Sequence, residues 1–288
     1  ALGCLPYAIL TKSRLLALLM LSLAMIWLWL ETTLGFYPAL LPVFLLTTAY
    51  VLYKSAGSML LFMGLFIGFG VWLESSLAAF WQTGPYLKLE AEHLVVTIAF
   101  MASAYRISYW LNDAKLPIYR DYGAVLNIWS LRFVLVLLFI LSFEEPWHGL
   151  IEADWEHLVS MSLVSSVFWI DAFFLAYLNQ RIQQTLAAFL LTVAGTTTVV
   201  LLDSDVHAVL LQIIGNILLV SLGVGLVLRG IGQNITHYFW TGVVTILLVA
   251  LVRYVDLIGD YVGGAILFGM IAAVLLGAAR FWKARMAA

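Results

Sequence analysis

The sequence predicts an all-α fold, a polytopic transmembrane helical bundle of about ten spans forming one membrane domain over residues 1–288, with both termini cytoplasmic. Three observations lead there. The chain is 64% hydrophobic and only 10% charged, whereas a soluble domain carries about 25% Asp, Glu, Lys and Arg. Apolar runs of about twenty residues, the length that crosses a ~30 Å hydrocarbon layer, recur from end to end. No alternating ten-residue pattern of barrel strands appears, so each run must close its own backbone hydrogen bonds as a helix.

In chain order, Leu2 to Leu10 is apolar but too short to span, and is expected to be the tail of a truncated preceding helix. Spans are then expected near 14–30, 36–53, 57–80, 92–111, 122–142, 158–178, 184–202, 206–228, 237–256 and 261–279. The connections are short, the longest running from Phe143 to His157, which leaves no room for an extramembrane domain. Lys and Arg near helix ends mark the cytoplasmic side. With these spans every second loop is basic, and all basic residues except Lys88, Arg132 and Arg253 fall on one side. The opposite loops hold Glu31, Glu90, Glu92, Glu144, Glu145, Glu152, Asp154, Glu156, Asp203, Asp205 and Asp260. Trp81, Tyr86, Trp147, Trp155, Tyr238 and Trp240 fall at span ends, where amphipathic rings anchor at headgroups.

A net charge of −2 without a Lys/Arg cluster argues against a nucleic-acid partner. The single cysteine, Cys4, forms no internal disulfide and offers no Cys-based metal spacing. His93, His148, His157 and His207 fall among the outer carboxylates, but without tight ligand spacing, so no metal site and no cofactor are expected. HExxH, GxSxG and Walker signatures are missing, and an enzyme is not expected. The expected partners are the lipid bilayer and either another membrane protein or a second copy of the chain.

Ionisable groups inside a span cost about 2.5–3.5 kcal/mol on insertion scales and call for an explanation. Arg132 lies near the middle of span five and Asp171 in span six, at similar depth in an expected antiparallel hairpin, so an Arg132–Asp171 ion pair is predicted. Glu74 lies in the outer third of span three, where it snorkels outward, pairs with an Arg, or binds a proton or cation. Arg253 and Asp256 are spaced i, i+3 and share a helix face as a local pair or a gate. Asn127, Gln212 and Asn216 are expected to form interhelical hydrogen bonds, and Gly64-xxx-Gly68 and Gly259-xxx-Gly263 to let helices approach closely.

Several segments resemble a family of bacterial multispanning membrane proteins of unknown function. They are Ser13-Arg14-Leu15-Leu16-Ala17, Trp27-Leu28-Trp29, Tyr37-Pro38, Tyr119-Arg120-Asp121-Tyr122-Gly123, Leu141-Ser142-Phe143, Gly215-Asn216, Arg229-Gly230-Ile231 and Arg253-Tyr254-Val255-Asp256-Leu257. The resemblance implies a bacterial cytoplasmic (inner) membrane and further N-terminal spans in family members, and supplies no activity. Two functional classes follow. One is a transporter or channel for an ion or small solute, with Arg132, Asp171 and Glu74 as its polar path; the other is a non-enzymatic scaffold or accessory subunit whose buried charges are structural.

Overall fold

The structure is a computed structural model that describes residues 1–82, 89–201, 205–258, 269–277 and 280, with side chains except at 205–206 and 255–258. Every regular element among them is helical: a short 3-10 turn (Leu2–Cys4), then α1 (Leu5–Thr11), α2 (Arg14–Thr33), α3 (Leu41–Lys54), α4 (Met59–Trp81), α5 (Ala91–Asn112), α6 (Pro117–Ile140), α7 (Glu145–Ile151), α8 (Leu158–Leu178), α9 (Ile182–Leu201), α10 (Asp205–Gln233) and α11 (Thr236–Ile258). Among the described residues, eight helices are long and apolar enough to cross a membrane: α2, α4, α5, α6, α8, α9, α10 and α11.

The second expected span differs from the expectation. Tyr37-Pro38 lies in the turn ahead of α3, and Pro42 takes one of the first helical positions, where its missing N–H costs nothing. The resulting 14-residue helix is about 21 Å long at 1.5 Å per residue, short of a full hydrocarbon layer. The last expected span, 261–279, falls mostly outside the described residues, as does Gly259-xxx-Gly263. The Phe143–His157 connection holds α7.

Helix ends follow local chemistry. The Ser13 and Ser58 hydroxyls cap α2 and α4 by accepting from Leu16 and Leu61 N–H. Gln180 and Asn234 take left-handed conformations, φ +54° and +56°, and close Schellman turns in which Arg181 N–H donates to Ala176 O and Ile235 N–H to Gly230 O. These turns fold α8 onto α9 and α10 onto α11.

The chain divides into two compact units: residues 1–134 with 150–203, and residues 135–149 with 204–288. In the first unit, α1 to α4 share a core of Ala8, Ala17, Met20, Leu21, Ala24, Phe44, Leu45 and Leu61. Gly64 and Gly68 admit α2 and α3 closely: a Cβ at Gly68 would sit 2.9 Å from a Leu45 methyl, and one at Gly64 3.0 Å from a Leu21 methyl. Gly57, at φ +82°, presents its carbonyl to the Arg14 guanidinium at 2.7 Å. The Ser58 N–H beside it donates to the Tyr122 hydroxyl. Gly123 lies so near α5 that a Cβ would meet Ser108 O at 2.7 Å. Arg14 and the Tyr122-Gly123 pair thus act as packing clamps.

The most extensive packing in this unit is α5 against α8. In lipid there is little hydrophobic gain from bringing two apolar helices together, so small residues and hydrogen bonds choose the partner. Ala99, Ser103, Ala172 and Ala176 are all buried, Ala99, Ala172 and Ala176 completely. The helices run in the same direction, since their starts meet at Glu92 and His157 and their middles at Ser103 and Asp171. In the second unit, α10 and α11 form an antiparallel pair around Gly223 and Gly242, where a Cβ at Gly242 would lie 2.5 Å from Gly223 O.

Candidate functional site

The first unit gathers polar groups along α5. Glu74 of α4 receives the Thr97 hydroxyl on Oε1 at 2.7 Å, and its Oε2 lies 2.7 Å from His93 Nδ1. His93 and Thr97 are four residues apart on α5, and the Thr97 hydroxyl also reaches His93 O at 2.9 Å. The arginine partner considered for Glu74 from sequence is replaced by this histidine. The His93 side chain is 6% exposed and that of Glu74 20%, so the pair is largely enclosed by the protein.

Trp81 packs against this pair. Its ring meets the edge of His93 at 4.7 Å and stacks on His157 at 5.5 Å with the planes within 7°, while its indole N–H donates to Ser160 Oγ at 2.7 Å. Trp81 is 5% exposed and is therefore not the interfacial anchor expected from its place at a span end. Trp147 likewise turns inward and donates to Leu141 O. His157 N–H donates to Glu92 Oε1 at 3.0 Å, and His157 Nε2 lies 3.5 Å from Glu90 Oε2. Glu92 is fully buried, and Glu92 Oε2 and His93 Nε2 are buried without a partner. Among the described residues, no three His, Cys, Asp or Glu side chains converge as a metal would require.

Below this cluster an aromatic layer crosses the unit. Phe100 contacts Phe66, Phe69 and Phe168 at centroid distances of 5.3, 5.7 and 5.5 Å. Beyond it, the Ser103 hydroxyl donates to Asp171 Oδ2. The expected Arg132–Asp171 ion pair is not formed. The small-residue face of α8 lies on α5, which puts the carboxylate opposite a serine, while the exposed Arg132 rests on the ring of Trp129, 5.5 Å from its centroid, on its own helix.

Near the other end of α5, Arg106 is 3% exposed and lies over the rings of Tyr105 and Tyr109. Sequence reading placed it only as a basic residue at the inner end of a span; its burial depends on which helix packs over it. Ser103 was missed for the same reason, and His93 was placed only among the outer carboxylates. The available signal was the run of small residues Ala99-xxx-Ser103 facing Ala172-xxx-Ala176, which marks α5 and α8 as neighbours.

In the second unit, Arg253 donates to Ser142 O and, at 3.2 and 3.3 Å, to Asn216 Oδ1, with its guanidinium over the Phe143 ring. Asn216 Nδ2 donates to Ser142 O at 3.1 Å and to Gln212 O at 2.8 Å. The carbonyls just past the end of α6 are a helix's negative pole, which a cation satisfies well. Gly215 gives room for this, since a Cβ there would meet Leu141 O at 2.7 Å. Leu141-Ser142-Phe143, Gly215-Asn216 and Arg253 therefore form one structural clasp. The Asp256 side chain, the expected local partner of Arg253, lies outside the described residues. Asn127 makes its expected interhelical bond, donating to Ser108 Oγ at 3.3 Å.

The fold and these polar clusters define the class as a helical, multi-pass integral membrane protein. No family model, curated protein or solved structure matches the chain.

Proposed function

We propose that the protein is a membrane transporter for an ion or small solute, in a bacterial cytoplasmic membrane, and that protons move through it by way of Glu74–His93 and Asp171. The observation that carries this reading is the hydrogen bonding of the two carboxyls. Neither Glu74 nor Asp171 meets a Lys or Arg among the described residues; each faces a hydroxyl, and Glu74 also an imidazole. A hydroxyl donates to a carboxylate and accepts from a carboxylic acid, and an imidazole exchanges donor and acceptor roles between tautomers. Each carboxyl keeps a hydrogen bond in either protonation state. A carboxylate held by arginine would lose its ion pair on protonation, and such a pair serves packing.

Along α5, Thr97 and Ser103 are separated by six residues, about 9 Å of helix, with Phe100 between them. In this reading the aromatic layer is the barrier that a conformational change opens, and Arg132, exposed on α6, is outside the path.

Proteoliposomes carrying an internal pH-sensitive dye test the proposal. With an imposed membrane potential, proton entry above that of empty vesicles is expected from the wild type and the Arg132→Gln variant. Entry in Asp171→Asn falls to the level of empty vesicles. Wild-type vesicles that stay silent across a panel of ions and small solutes, while the protein copurifies with a stoichiometric membrane partner, would establish the scaffold role instead.

A further inference from the structure

We infer that the end of α5 remote from Glu92 holds a binding site for a phosphate-bearing anion, built by Arg106, Arg181 and the junction of α8 with α9. Both guanidiniums lie against one aromatic ring: Arg181 is 4.1 Å from the Tyr109 centroid and Arg106 is 5.9 Å from it. Among the described residues neither reaches a carboxylate, which for Arg106, at 3% exposure, is an uncompensated charge inside the protein. Its Nη1 is buried without an acceptor.

Two further orphans lie at the same end. Asn179 Nδ2, in the residue that ends α8, and Thr185 Oγ1, on the first turn of α9, are also buried without partners. Threonines inside helices ordinarily return their hydroxyl to the carbonyl four residues back, as Thr97, Thr192 and Thr245 do here. Thr185 does not. Arg181 and Thr185 are four apart and share one face of the helix start, and α9 packs on both α5 and α8. The start of the 20-residue α9 adds the positive pole of its dipole.

Two cations, an amide donor and a hydroxyl, all lacking acceptors, are complementary to one tetrahedral oxyanion and to no cation. Arginine's planar fork suits phosphate oxygens in particular. Arg106 lies six residues from the end of α5, about 9 Å deep, so either an anionic phospholipid headgroup drawn between helix ends or a free phosphate supplies the same chemistry. The site is independent of the transport reading, since it uses none of Glu74, His93 or Asp171.

Thermal unfolding of the purified full chain in neutral detergent, followed by tryptophan fluorescence, tests it. The protein is titrated separately with inorganic phosphate, short-chain phosphatidylglycerol and, as a control, short-chain phosphatidylcholine. A ligand that binds only the folded state raises the melting temperature with concentration until the site saturates. A saturable rise with phosphatidylglycerol alone supports a lipid site, and a rise with inorganic phosphate as well supports a site open to the free anion. In Arg106→Gln and in Arg181→Gln the apparent affinity drops by about tenfold or more, the scale of one charge-assisted hydrogen bond. Arg181 is only half-buried, so its variant keeps the test readable if Arg106→Gln fails to fold. No rise with either anion, an equal rise with phosphatidylcholine, or unchanged affinity in the Arg181→Gln protein overturns the inference.

Discussion

Asp171 and Arg132 show how one neighbour decides what a charged residue does. Asp171 accepts from Ser103 across the α5–α8 seam, whereas Arg132 lies on the exposed face of α6 against Trp129. The two do not touch, so their substitutions act independently. In a double-mutant cycle with Arg132→Gln and Asp171→Asn, the stability changes are expected to add to within about 0.3–0.5 kcal/mol, read as detergent or thermal unfolding of the purified protein. A coupling above about 1 kcal/mol, as for residues in direct contact, would restore the ion pair. Sequence position was enough to single out Asp171 and Glu74 as costly groups. Their partners were not legible, because Ser103, His93 and Thr97 are unremarkable as residue types and acquire meaning only once α5 is known to lie between α4 and α8.

At the scale of the element, helix existence and approximate bounds were legible because apolar length is the dominant signal in a bilayer. Neighbour choice was not. A lipid-facing surface and a protein-facing one are equally apolar, so hydrophobic periodicity carries little information, and short stretches of small residues do the selecting. Gly64 and Gly68 were readable as such a stretch. Gly223 and Gly242, on two different helices, were not, although they bring α10 and α11 into backbone contact. Gly242→Ala places a Cβ 2.5 Å from Gly223 O and 2.8 Å from the Val227 backbone nitrogen. Because backbone cannot yield as a side-chain tip can, a loss of about 1–3 kcal/mol is expected, as in overpacked cores. Gly225→Ala, on the facing helix α10 with no atom within 4 Å of the added carbon, is expected to melt with the wild type. Equal melting of both variants would place the α10–α11 seam elsewhere. The second expected span was misread in length for a different local reason: Tyr37-Pro38 diverts the chain into a turn before α3 can start.

For the whole molecule, the 14 basic and 16 acidic residues of the chain fall into three roles. Most lie in loops and near helix ends, where they are expected to set orientation. Arg14 and Arg253 clasp backbone carbonyls, at Gly57 and Ser142, and tie helices together. Apart from Arg132, which rests exposed on the Trp129 ring of its own helix, Glu74, Glu92, Asp171 and Arg106 remain, all in the first unit and all within the helices α4, α5 and α8. The carboxyls among them face hydroxyls, imidazole or backbone N–H, while Arg106 faces tyrosine rings, so the charges do not cancel one another in pairs. That distribution is what the proposed transport reading rests on. The central claim is that Asp171 gains and loses a proton inside the membrane. Infrared spectra of the reconstituted protein, recorded across a pH titration, test it most directly. A protonated-carboxyl stretching band that grows as pH falls, shifts in frequency in Ser103→Ala and disappears in Asp171→Asn is the result the account predicts. A set of titrating carboxyl bands that is identical in the wild type and in Asp171→Asn would contradict it.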